Sequence, residues 1–493
     1  MISGYFNDRT EFWHEPIYRN VFGLLRYFGD AEIAVMSWPR PLTVEHSKGP
    51  EIAGPPPVSK GRTGAAPGTL TAPDLLRAQT EWKRADNILP AGKSHLRWVY
   101  DPASKNPFSV SALRQFTKDL KIPFVKSKPV KSISIAEGKW ISLNKRQANA
   151  VKEMEQVVQN LLDTCSRVRD RDFWSTLKGD STTQKAIKIK QRERLGEVIG
   201  MLPKSLIPAN PRARLLKKTD KWTSYEVMLD VLTPGVFAWG ILIVPNGISP
   251  GQRLPAVVCQ HGLEGIPADV VTDDTTTIGW KFYKSFATKL AERGYVTFVP
   301  HNPYRGEDKF RVLQRKGNPI GLSLFSVITS QHERIVEWLA KQLFIDPARI
   351  GFYGLSYGGK TAMRIPALIE GYALSICSAN FNEWIVKVST TRYSFSYMFS
   401  KEYDMLEWNM GSTFNYAEMA ALIAPRPFMV ERGYNDNVGG DEWVDFEFAK
   451  VRRHYVRSGI PEAVRIEHFI GPHTINGVGT FEFLDRHLKA RHR

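Results

Sequence analysis

The sequence predicts an α/β protein in which a mostly parallel sheet is covered by helices on both faces. Three observations lead to this prediction. Strand-like and helix-like segments alternate from about residue 222 onward, an earlier stretch partly repeats that region, and a basic helical stretch separates the two. The composition is that of a globular protein, since 42% of the 493 residues are hydrophobic and 24% are charged. We therefore expect three segments, residues 1–120, 121–220 and 221–493.

The first segment, residues 1–120, is interpreted as a truncated copy of the end of the third segment. Residues 31–45 and 417–431 are identical at eight of 15 positions. Upstream of this match, residues 3–7 echo residues 378–382 in the same order. A remnant of this kind lacks most of its own sheet. We therefore expect it to bury its strands against the third segment or a second chain.

The second segment, residues 121–220, carries most of the positive charge. The whole chain has a net charge of +17, and this segment contains 22 Lys and Arg against 10 Asp and Glu. It is predicted to be a basic helical lead-in with a core-facing stripe, because apolar residues recur at spacings of three and four. These residues are Ala148, Val151, Met154, Val158, Leu161, Cys165 and Val168. A polyanion-binding face is the alternative, but no zinc-finger spacing or RNP-type motif indicates a specific nucleic-acid partner.

The third segment reads as strands and helices in alternation, which favours parallel strand pairing. It opens with a hairpin, Tyr225–Leu232 and Val236–Val244. The strands expected after the hairpin are Pro255–Gln260, Tyr295–Pro300, Arg349–Gly354, Ala373–Ser378, Pro427–Glu431 and Val464–Phe469. The helices expected between them are Gly279–Arg293, Ser326–Gln342, Gly358–Glu370 and Asp441–Ser458.

A nucleophile is predicted where the strand Arg349–Gly354 runs into Gly354-Leu355-Ser356-Tyr357-Gly358-Gly359. This is G-x-S-x-G between a buried strand and a helix, the setting that a nucleophile elbow requires. The glycines two residues before and after the serine keep neighbouring side chains from colliding. The N-terminus of the following helix faces the negative charge that develops during acyl transfer. Ser356 is therefore the predicted nucleophile.

The remaining catalytic groups should follow the serine in the order acid, then histidine. Asp436 comes just after a strand and is the predicted acid, with Asp441 and Glu442 as rivals that could instead cap the next helix. His473 lies on a Gly/Pro loop after the last strand and is the predicted base. In the register of the repeat, Pro50 stands in the place of Asp436, and no histidine occurs between His95 and His261. Segment 1–120 is therefore predicted to be non-catalytic.

Other residues are expected around the predicted triad. The oxyanion hole needs two backbone N–H groups, and we expect them from Tyr357 and from Leu263, in the loop His261-Gly262-Leu263-Glu264-Gly265. Arg305 follows a strand at the same edge and could bind a substrate carboxylate or pair with Glu307 or Asp308. Trp384 and Tyr397 lie in the insertion after Ser378, where they could contact substrate or pack a cap.

On these motifs, residues 222–493 resemble the α/β-hydrolase superfamily, particularly its dienelactone-hydrolase-like and acetyl-xylan-esterase-like members. The resemblance implies an α/β-hydrolase fold, a Ser356–Asp436–His473 triad, oxyanion donors at Leu263 and Tyr357, and no cofactor or metal. Dienelactone hydrolases proper use a cysteine nucleophile, so Ser356 favours ordinary ester hydrolysis. Glucuronoyl esterases carry arginine directly after the serine, so Tyr357 argues against that substrate.

The predicted function is a serine carboxylic-ester hydrolase that acts on small or carbohydrate-linked esters. A serine peptidase or amidase with the same triad is the first alternative, because a triad does not identify the leaving group. A non-catalytic polyanion-binding protein on a hydrolase scaffold is the second. No run of about 18 apolar residues predicts a membrane span, and no secretory signal is visible at Met1. The compartment stays open, and an oligomer is possible.

Overall fold

The computed structural model describes residues 1–489 except 91, 93, 105, 126–141, 179–180, 234, 403–404 and 406. The chain forms two compact units. Unit 1 comprises Met1–Gln159 with Arg315–Gly321 and Phe399–Tyr403, and unit 2 comprises Asn160–Gln314, Leu322–Met398 and Asp404–Arg493. Among the described residues, no helix combines the length and apolar character needed to cross a bilayer.

Unit 1 is built on a three-stranded parallel sheet in the order β1-β2-β3. A small core of its own, which includes Phe6, Val44 and Leu96, lies against this sheet. The strands are Ile2–Ser3 (β1), Leu42–His46 (β2) and Leu96–Tyr100 (β3). The helices are Asp30–Val35 (α1), Leu75–Ile88 (α2) and Val110–Asp119 (α3), and Leu143–Arg169 (α4) passes from unit 1 into unit 2.

Unit 2 contains a nine-stranded sheet in the order β12-β11-β10-β9-β7-β8-β6-β5-β4. The six strands from β7 to β12 are parallel, and β6, β5 and β4 form an antiparallel meander at one edge. This is the α/β-hydrolase fold that the sequence predicts. The strands are Arg212–Lys218 (β4), Trp222–Leu232 (β5), Val236–Pro245 (β6), Leu254–Gln260 (β7), Val296–Pro300 (β8), Ile345–Leu355 (β9), Leu374–Ser378 (β10), Phe428–Gly433 (β11) and Val464–Phe469 (β12).

Helices cover both faces of the unit 2 sheet. Alternate residues of a strand face opposite sides, so Val258 of β7 lies in one apolar core and Val257 lies in the other. The helices are Ser181–Ile199 (α5), Pro267–Val271 (α6), Ile278–Tyr283 (α7), Phe286–Glu292 (α8), Asp308–Gly317 (α9), Leu324–Ala340 (α10), Tyr357–Leu368 (α11), Trp384–Ser389 (α12), Met410–Thr413 (α13), Tyr416–Ile423 (α14), Asp441–Arg457 (α15) and Gly479–Leu484 (α16).

The structure differs from the predicted elements at three places. Strand β4 joins the sheet edge, so the sheet starts before residue 221, where the sequence analysis begins the third segment. The single helix expected over Gly279–Arg293 is two helices, because Lys284 and Ser285 between them both have φ of 53°. The apolar stripe of α4 does not face a core between Val151 and Leu161. Val151, Met154, Val158 and Leu161 are 52–61% exposed, so the 3.6-residue period predicts the helix but not its burial.

Cations of the basic lead-in bind the C-terminal ends of two helices in unit 2. Lys188 Nζ donates to the carbonyl of Ala424 at 2.8 Å, just beyond α14. Arg192 donates to the carbonyls of Leu422 at 2.9 Å and Ala367 at 3.2 Å, in the last turns of α14 and α11. These carbonyls have no partner within their own helices, and the helix dipole makes them attractive to cations. Part of the lead-in's positive charge is therefore used inside the fold.

The two units share a hydrogen-bond pattern at the start of the repeated stretch. The N–H of Gly29 binds the Glu32 carboxylate at 2.7 Å, and the N–H of Asn415 binds the Glu418 carboxylate at 2.8 Å. Ala31 and Ala417 repeat the likeness, because each donates its N–H to a glutamate of a later helix, Glu81 or Glu447, at 2.9 and 3.0 Å. The similarity in sequence thus corresponds to a similarity in local geometry.

Replacing Arg192 with Met should lower the free energy of unfolding by about 1–3 kcal/mol, because the carbonyls of Ala367 and Leu422 lose their partner. Urea denaturation of the full chain measures this change. Lys190→Met is the matched control, because Lys190 lies two residues before Arg192 on the exposed side of α5. It should change the free energy of unfolding by less than about 0.5 kcal/mol. Equal losses in the two variants would contradict the capping role of Arg192.

Three buried glutamates of α12, α14 and α15 and their N-termini, Glu383, Glu418 and Glu447, lie close to the cations Arg169 and Lys450. Burial raises the pKa of Glu447 to about 7, the neighbouring charge of Glu418 adds to the rise, and Lys450 opposes it. Glu383 contributes a further repulsion. Arg169 lies 3.4 Å from Glu418 and 3.9 Å from Glu383. One proton is therefore held in this cluster at pH values where an exposed glutamate has lost its own.

This cluster predicts a stability that falls as the pH rises. The pKa of Glu447 is 4.5 when unperturbed and about 7 in the folded protein, so only the folded protein holds this proton between those values. Its stabilising contribution is complete below pH 4.5 and is lost as the pH rises through about 7. In thermal melts from pH 5 to 8, Glu447→Gln should reduce the fall in melting temperature. The exposed Glu442→Gln on the same helix should leave it unchanged.

Candidate active site

Ser356 lies at a sharp turn between β9 and α11. Its backbone is left-handed in φ, with φ 60° and ψ −117°, a conformation that a non-glycine residue rarely adopts. A Cβ atom at Gly354 would collide with the carbonyl of Gly358, and one at Gly358 would collide with the carbonyl of Gln260. The glycines of G-x-S-x-G are therefore required by close backbone approach, and the turn projects Ser356 beyond the carboxyl edge of the sheet.

The strand register brings the predicted catalytic residues to one edge of the sheet. Leu355, Ser378, Glu431 and Glu467 are aligned across β9, β10, β11 and β12. Ser356 directly follows this row, and Asp436 and His473 lie on the loops that follow β11 and β12. Parallel strands end at the same edge, so the serine, the acid and the histidine emerge on the same side.

Asp436 and His473 form a hydrogen-bonded pair, with 3.0 Å between Asp436 Oδ2 and His473 Nδ1. The Asp436 side chain is buried, and its Oδ1 accepts the N–H of Val438 at 3.0 Å. Burial alone would raise the pKa of Asp436. The hydrogen bond to His473 and the charge of Arg432 outweigh burial, and the net pKa is lowered. The carboxylate is thus charged and suited to orient an imidazole.

The rival acids do not contact His473. Asp441 Oδ1 accepts from Arg432 Nε at 3.1 Å, and Glu442 is exposed in the first turn of α15. The Ser356 hydroxyl has no hydrogen-bond partner among the described residues. The structure therefore joins the histidine to Asp436 and leaves the serine hydroxyl unengaged.

Arg432 is a buried residue of the site that the sequence analysis missed. Its guanidinium is 3.3 Å from Asp436 Oδ2 and donates to the carbonyls of Asp436 and Gly439 at 2.9 and 2.6 Å. It therefore fastens the loop that carries the acid at both ends. An arginine at the end of a buried strand is the signal that could have identified it, because a buried arginine needs acceptors close by.

The loop after β7 lies beside the elbow and contains one backbone N–H group without an acceptor among the described residues. The neighbouring groups are already bonded: Gly262 N donates to Tyr283 OH at 2.7 Å, Glu264 N to Tyr304 O at 3.0 Å, and Gly265 N to Gly262 O at 3.1 Å. Among the described residues, the N–H of Leu263 has no acceptor. A Cβ on Gly262 would lie 3.0 Å from Ser356 Cβ, so this loop lies against the serine. Tyr357 is the first residue of α11, at the positive end of the helix dipole.

His261 is a structural residue of this loop. Its Nδ1 is 2.8 Å from Gly262 O, and its Nε2 is 3.2 Å from the N–H of Asn302, so Nδ1 carries the proton and Nε2 accepts. Burial lowers the pKa of His261 to about 3, so the ring is neutral. Tyr304 OH donates to His261 O at 2.6 Å. These bonds join the loops after β7 and β8.

Arg305 is exposed on the loop after β8, beside the loop of Leu263. Glu264 ties the two loops together by accepting the N–H groups of Gly306 at 2.7 Å and Glu307 at 2.8 Å. Burial lowers the pKa of His301, and the charge of Arg305 adds to this effect. No ion pair joins Arg305 to Glu307 among the described residues, and the Asp308 side chain lies outside them.

The two aromatic residues of the insertion pack inside it. Trp384 is 1% exposed and stacks on Tyr416 with ring centres 5.1 Å apart. The Tyr397 ring is half-buried, and the Lys387 ammonium lies 3.9 Å from its centre. For Trp384 the geometry favours the packing alternative over substrate contact.

The comparisons with known proteins matched a peptidase family and two peptidases. A model of the prolyl oligopeptidase family, Peptidase_S9, matches residues 280–439, a stretch that contains Ser356 and Asp436 and ends before His473. Dipeptidyl peptidase 8 of Mus musculus is 26% identical over 227 residues, and that of Homo sapiens is 24% identical over 226 residues. Each match covers 44% of this chain and 23% of the relative, so the chain spans about a quarter of the length of these relatives.

Solved structures of similar shape include esterases. A putative acetyl xylan esterase from Bacteroides fragilis has a TM-score of 0.49 and 17% identity, over 62% of this chain and 81% of its own. A glucuronoyl esterase of carbohydrate esterase family 15 from Caldicellulosiruptor kristjansonii has a TM-score of 0.46 and 17% identity. That match covers 63% of this chain and 87% of the esterase chain.

Two variants test whether Asp436 or Asp441 is the acid that orients His473. Asp436→Asn should lower kcat for p-nitrophenyl acetate by about 1,000-fold or more. The neutral amide would no longer hold the proton on Nδ1 of His473 or stabilise the imidazolium. Asp441→Asn should stay within about threefold of the wild-type rate, since Asp441 contacts Arg432 and not the histidine. Steady-state kinetics on both variants measures the difference. A larger loss in Asp441→Asn would assign the acid to Asp441.

Proposed function

We propose that the protein is a serine carboxylic-ester hydrolase that uses Ser356, Asp436 and His473. The observation that carries this proposal is the Asp436–His473 pair at the same sheet edge as a strained serine elbow. An unbonded N–H at Leu263 beside the serine adds the means to stabilise a negative oxygen. The residues of the proposed site come from four separate strand ends, and the strained backbone at Ser356 is of the kind that functional sites often carry.

The proposed reaction has two halves. Ser356 Oγ attacks the ester carbonyl while His473 Nε2 takes the hydroxyl proton, and the carbonyl oxygen gains negative charge facing the N–H groups of Leu263 and Tyr357. The tetrahedral intermediate collapses, the carbon–oxygen bond to the alcohol breaks, and His473 returns the proton to that alcohol. Water then attacks the acyl-enzyme by the same route and releases the acid and free Ser356.

Each supporting group has a defined electrostatic task in this proposal. Asp436 stays charged because its pKa is lowered, so it stabilises the imidazolium that forms at His473. The N-terminus of α11 points its dipole at the developing oxyanion. Neither task needs a cofactor, and the proposal includes none.

A serine peptidase or amidase is the second candidate. The match of residues 280–439 to the prolyl oligopeptidase family favours it, and the same three residues would carry out the chemistry. The two reactions differ in the leaving group. An amine must be protonated before it can leave, whereas an alcohol is the better leaving group. Comparing ester and amide substrates with one acyl group therefore separates the two candidates.

The proposed substrates are small or carbohydrate-linked esters, with Arg305 available at the edge of the site for an anionic substituent. A polyanion-binding role is less well supported. Lys188 and Arg192 of the basic lead-in are engaged with helix carbonyls inside unit 2, so they do not contribute to a free basic surface.

The test is hydrolysis of p-nitrophenyl acetate by the full chain. Wild type should hydrolyse it, and Ser356→Ala should lower kcat by at least about 1,000-fold, because the nucleophile is removed. Ser458→Ala, an exposed serine at the end of α15, is the control and should match wild type. Equal rates in wild type and Ser356→Ala would sink the proposal. A dipeptide p-nitroanilide turned over faster than the p-nitrophenyl ester of the same dipeptide would select the peptidase. A series of p-nitrophenyl esters with different acyl-chain lengths would define the acyl preference, and acetylated sugars would define the alcohol preference.

A further inference from the structure

Glu431 is a fully buried carboxylate at the carboxyl end of β11, in the row that adjoins the elbow. It accepts hydrogen bonds from five donors. Three are hydroxyl groups and two are backbone N–H groups of the loop that follows His473. The donors are Ser378 Oγ at 2.6 Å, Tyr353 OH at 2.8 Å, Thr480 Oγ1 at 3.3 Å, Asn476 N at 3.2 Å and Gly477 N at 3.0 Å.

The two backbone donors connect Glu431 to the predicted base. Asn476 and Gly477 lie three and four residues after His473, and their N–H groups have the Glu431 carboxylate as their acceptor. On the nearer side of the same loop, Thr474 Oγ1 donates to Phe282 O at 2.9 Å, and Ile475 N donates to the same carbonyl at 2.8 Å. The loop is thus held at one end against α7 and at the other by Glu431.

We propose that Glu431 is a positioning residue for His473. It acts through the loop 473–477 and does not touch the imidazole, whose Nδ1 is bonded to Asp436. This inference rests on the proposed function, since it assigns a role within the same site. A loop displacement of about 1 Å would disturb the approach of His473 to Ser356, and misplacements of that size can cost about 100-fold in rate.

The chemistry of the donors explains why a carboxylate is needed here. Hydroxyl groups can turn round and accept, but a backbone N–H can only donate. The loop therefore requires an acceptor at this point, and Glu431 Oε1 supplies it for both N–H groups. Burial raises the pKa of Glu431, while the hydroxyl of Ser378 and the N–H of Gly477 favour the charged form. The net effect is a raised pKa. An amide at this position would leave one acceptor oxygen instead of two for the five donors, so the bonds to the loop would be weaker.

Unit 1 contains the same arrangement without a histidine. Ser3 and Glu45 are in register, as Ser378 and Glu431 are, and in each pair the serine hydroxyl donates to the glutamate. Glu45 also accepts the N–H groups of Phe108 at 2.8 Å and Ser109 at 2.9 Å, from the loop that precedes α3. That loop carries no histidine. The stabilising effect of this carboxylate can therefore be measured in unit 1, separately from any effect on catalysis.

The experiment compares Glu431→Gln with Glu45→Gln in the full chain. Labelling of Ser356 by a fluorophosphonate probe reports on the nucleophile and its base without depending on the natural substrate, and p-nitrophenyl acetate gives kcat and KM. Glu431→Gln should lower the labelling rate and kcat by about 10- to 100-fold with KM within about twofold. The acid limb of its pH–rate profile should also move. Glu45→Gln should lower the melting temperature and leave the rates and the profile unchanged.

Each outcome decides a different statement. A Glu431→Gln protein that loses melting temperature but keeps the wild-type labelling rate, kcat and pH profile would overturn the positioning role. Absence of labelling in wild type would overturn the proposed function itself, together with the inference that depends on it. If Glu431→Gln does not fold, Glu431→Asp and its match Glu45→Asp replace the pair. A wild-type rate in Glu431→Asp, whose shorter carboxylate cannot reach the loop equally well, would then overturn the positioning role.

Discussion

The left-handed backbone at Ser356 is the constraint on which the rest of unit 2 depends. It can form only because Gly354 and Gly358 lack side chains. A Cβ atom at Gly354 would collide with the carbonyl of Gly358, and one at Gly358 would collide with the carbonyl of Gln260. The turn directs α11 away from the sheet edge while its N-terminus stays at the elbow. The loop after β7 lies against Ser356, and the loops after β8, β11 and β12 leave the sheet at the same edge.

Some of the basic residues of the chain bind carbonyl groups at the C-terminal ends of helices in unit 2. The N-terminus of α11 lies at the proposed oxyanion site, so its C-terminus lies on the far side, where the carbonyl of Ala367 needs a donor. Arg192 reaches it, and Arg426 donates to the carbonyls of Pro366 and Ile369 close by. Composition alone suggested a partner outside the protein for such cations. For Lys188, Arg192 and Arg426, the partners in the structure are carbonyls at helix ends within the protein.

The parts of the proposed site that the sequence predicts are those with local backbone signals. The glycines around Ser356 and the Gly/Pro loop of His473 reveal themselves by spacing, and the order of strands and helices follows from hydrophobic period. Residues whose role depends on distant partners were not predictable in this way. Glu431, for example, accepts from Tyr353 OH and from the N–H of Gly477, which are 78 and 46 residues away in the chain. The exposed stripe of α4 likewise shows that a period identifies a helix without identifying what the helix contacts.

The repeated hydrogen-bond pattern of the two units offers an internal distinction between architecture and chemistry. Side chains present in both arrangements, such as the glutamates at positions 45 and 431, meet a demand of strands and loops that exists whether or not a reaction occurs. Other residues occur in unit 2 only. Where unit 2 has Arg432 and Asp436, the matching positions of unit 1 are His46 and Pro50. Unit 1 thus keeps the strand and loop contacts of this glutamate and lacks the residues to which we assign the proposed reaction.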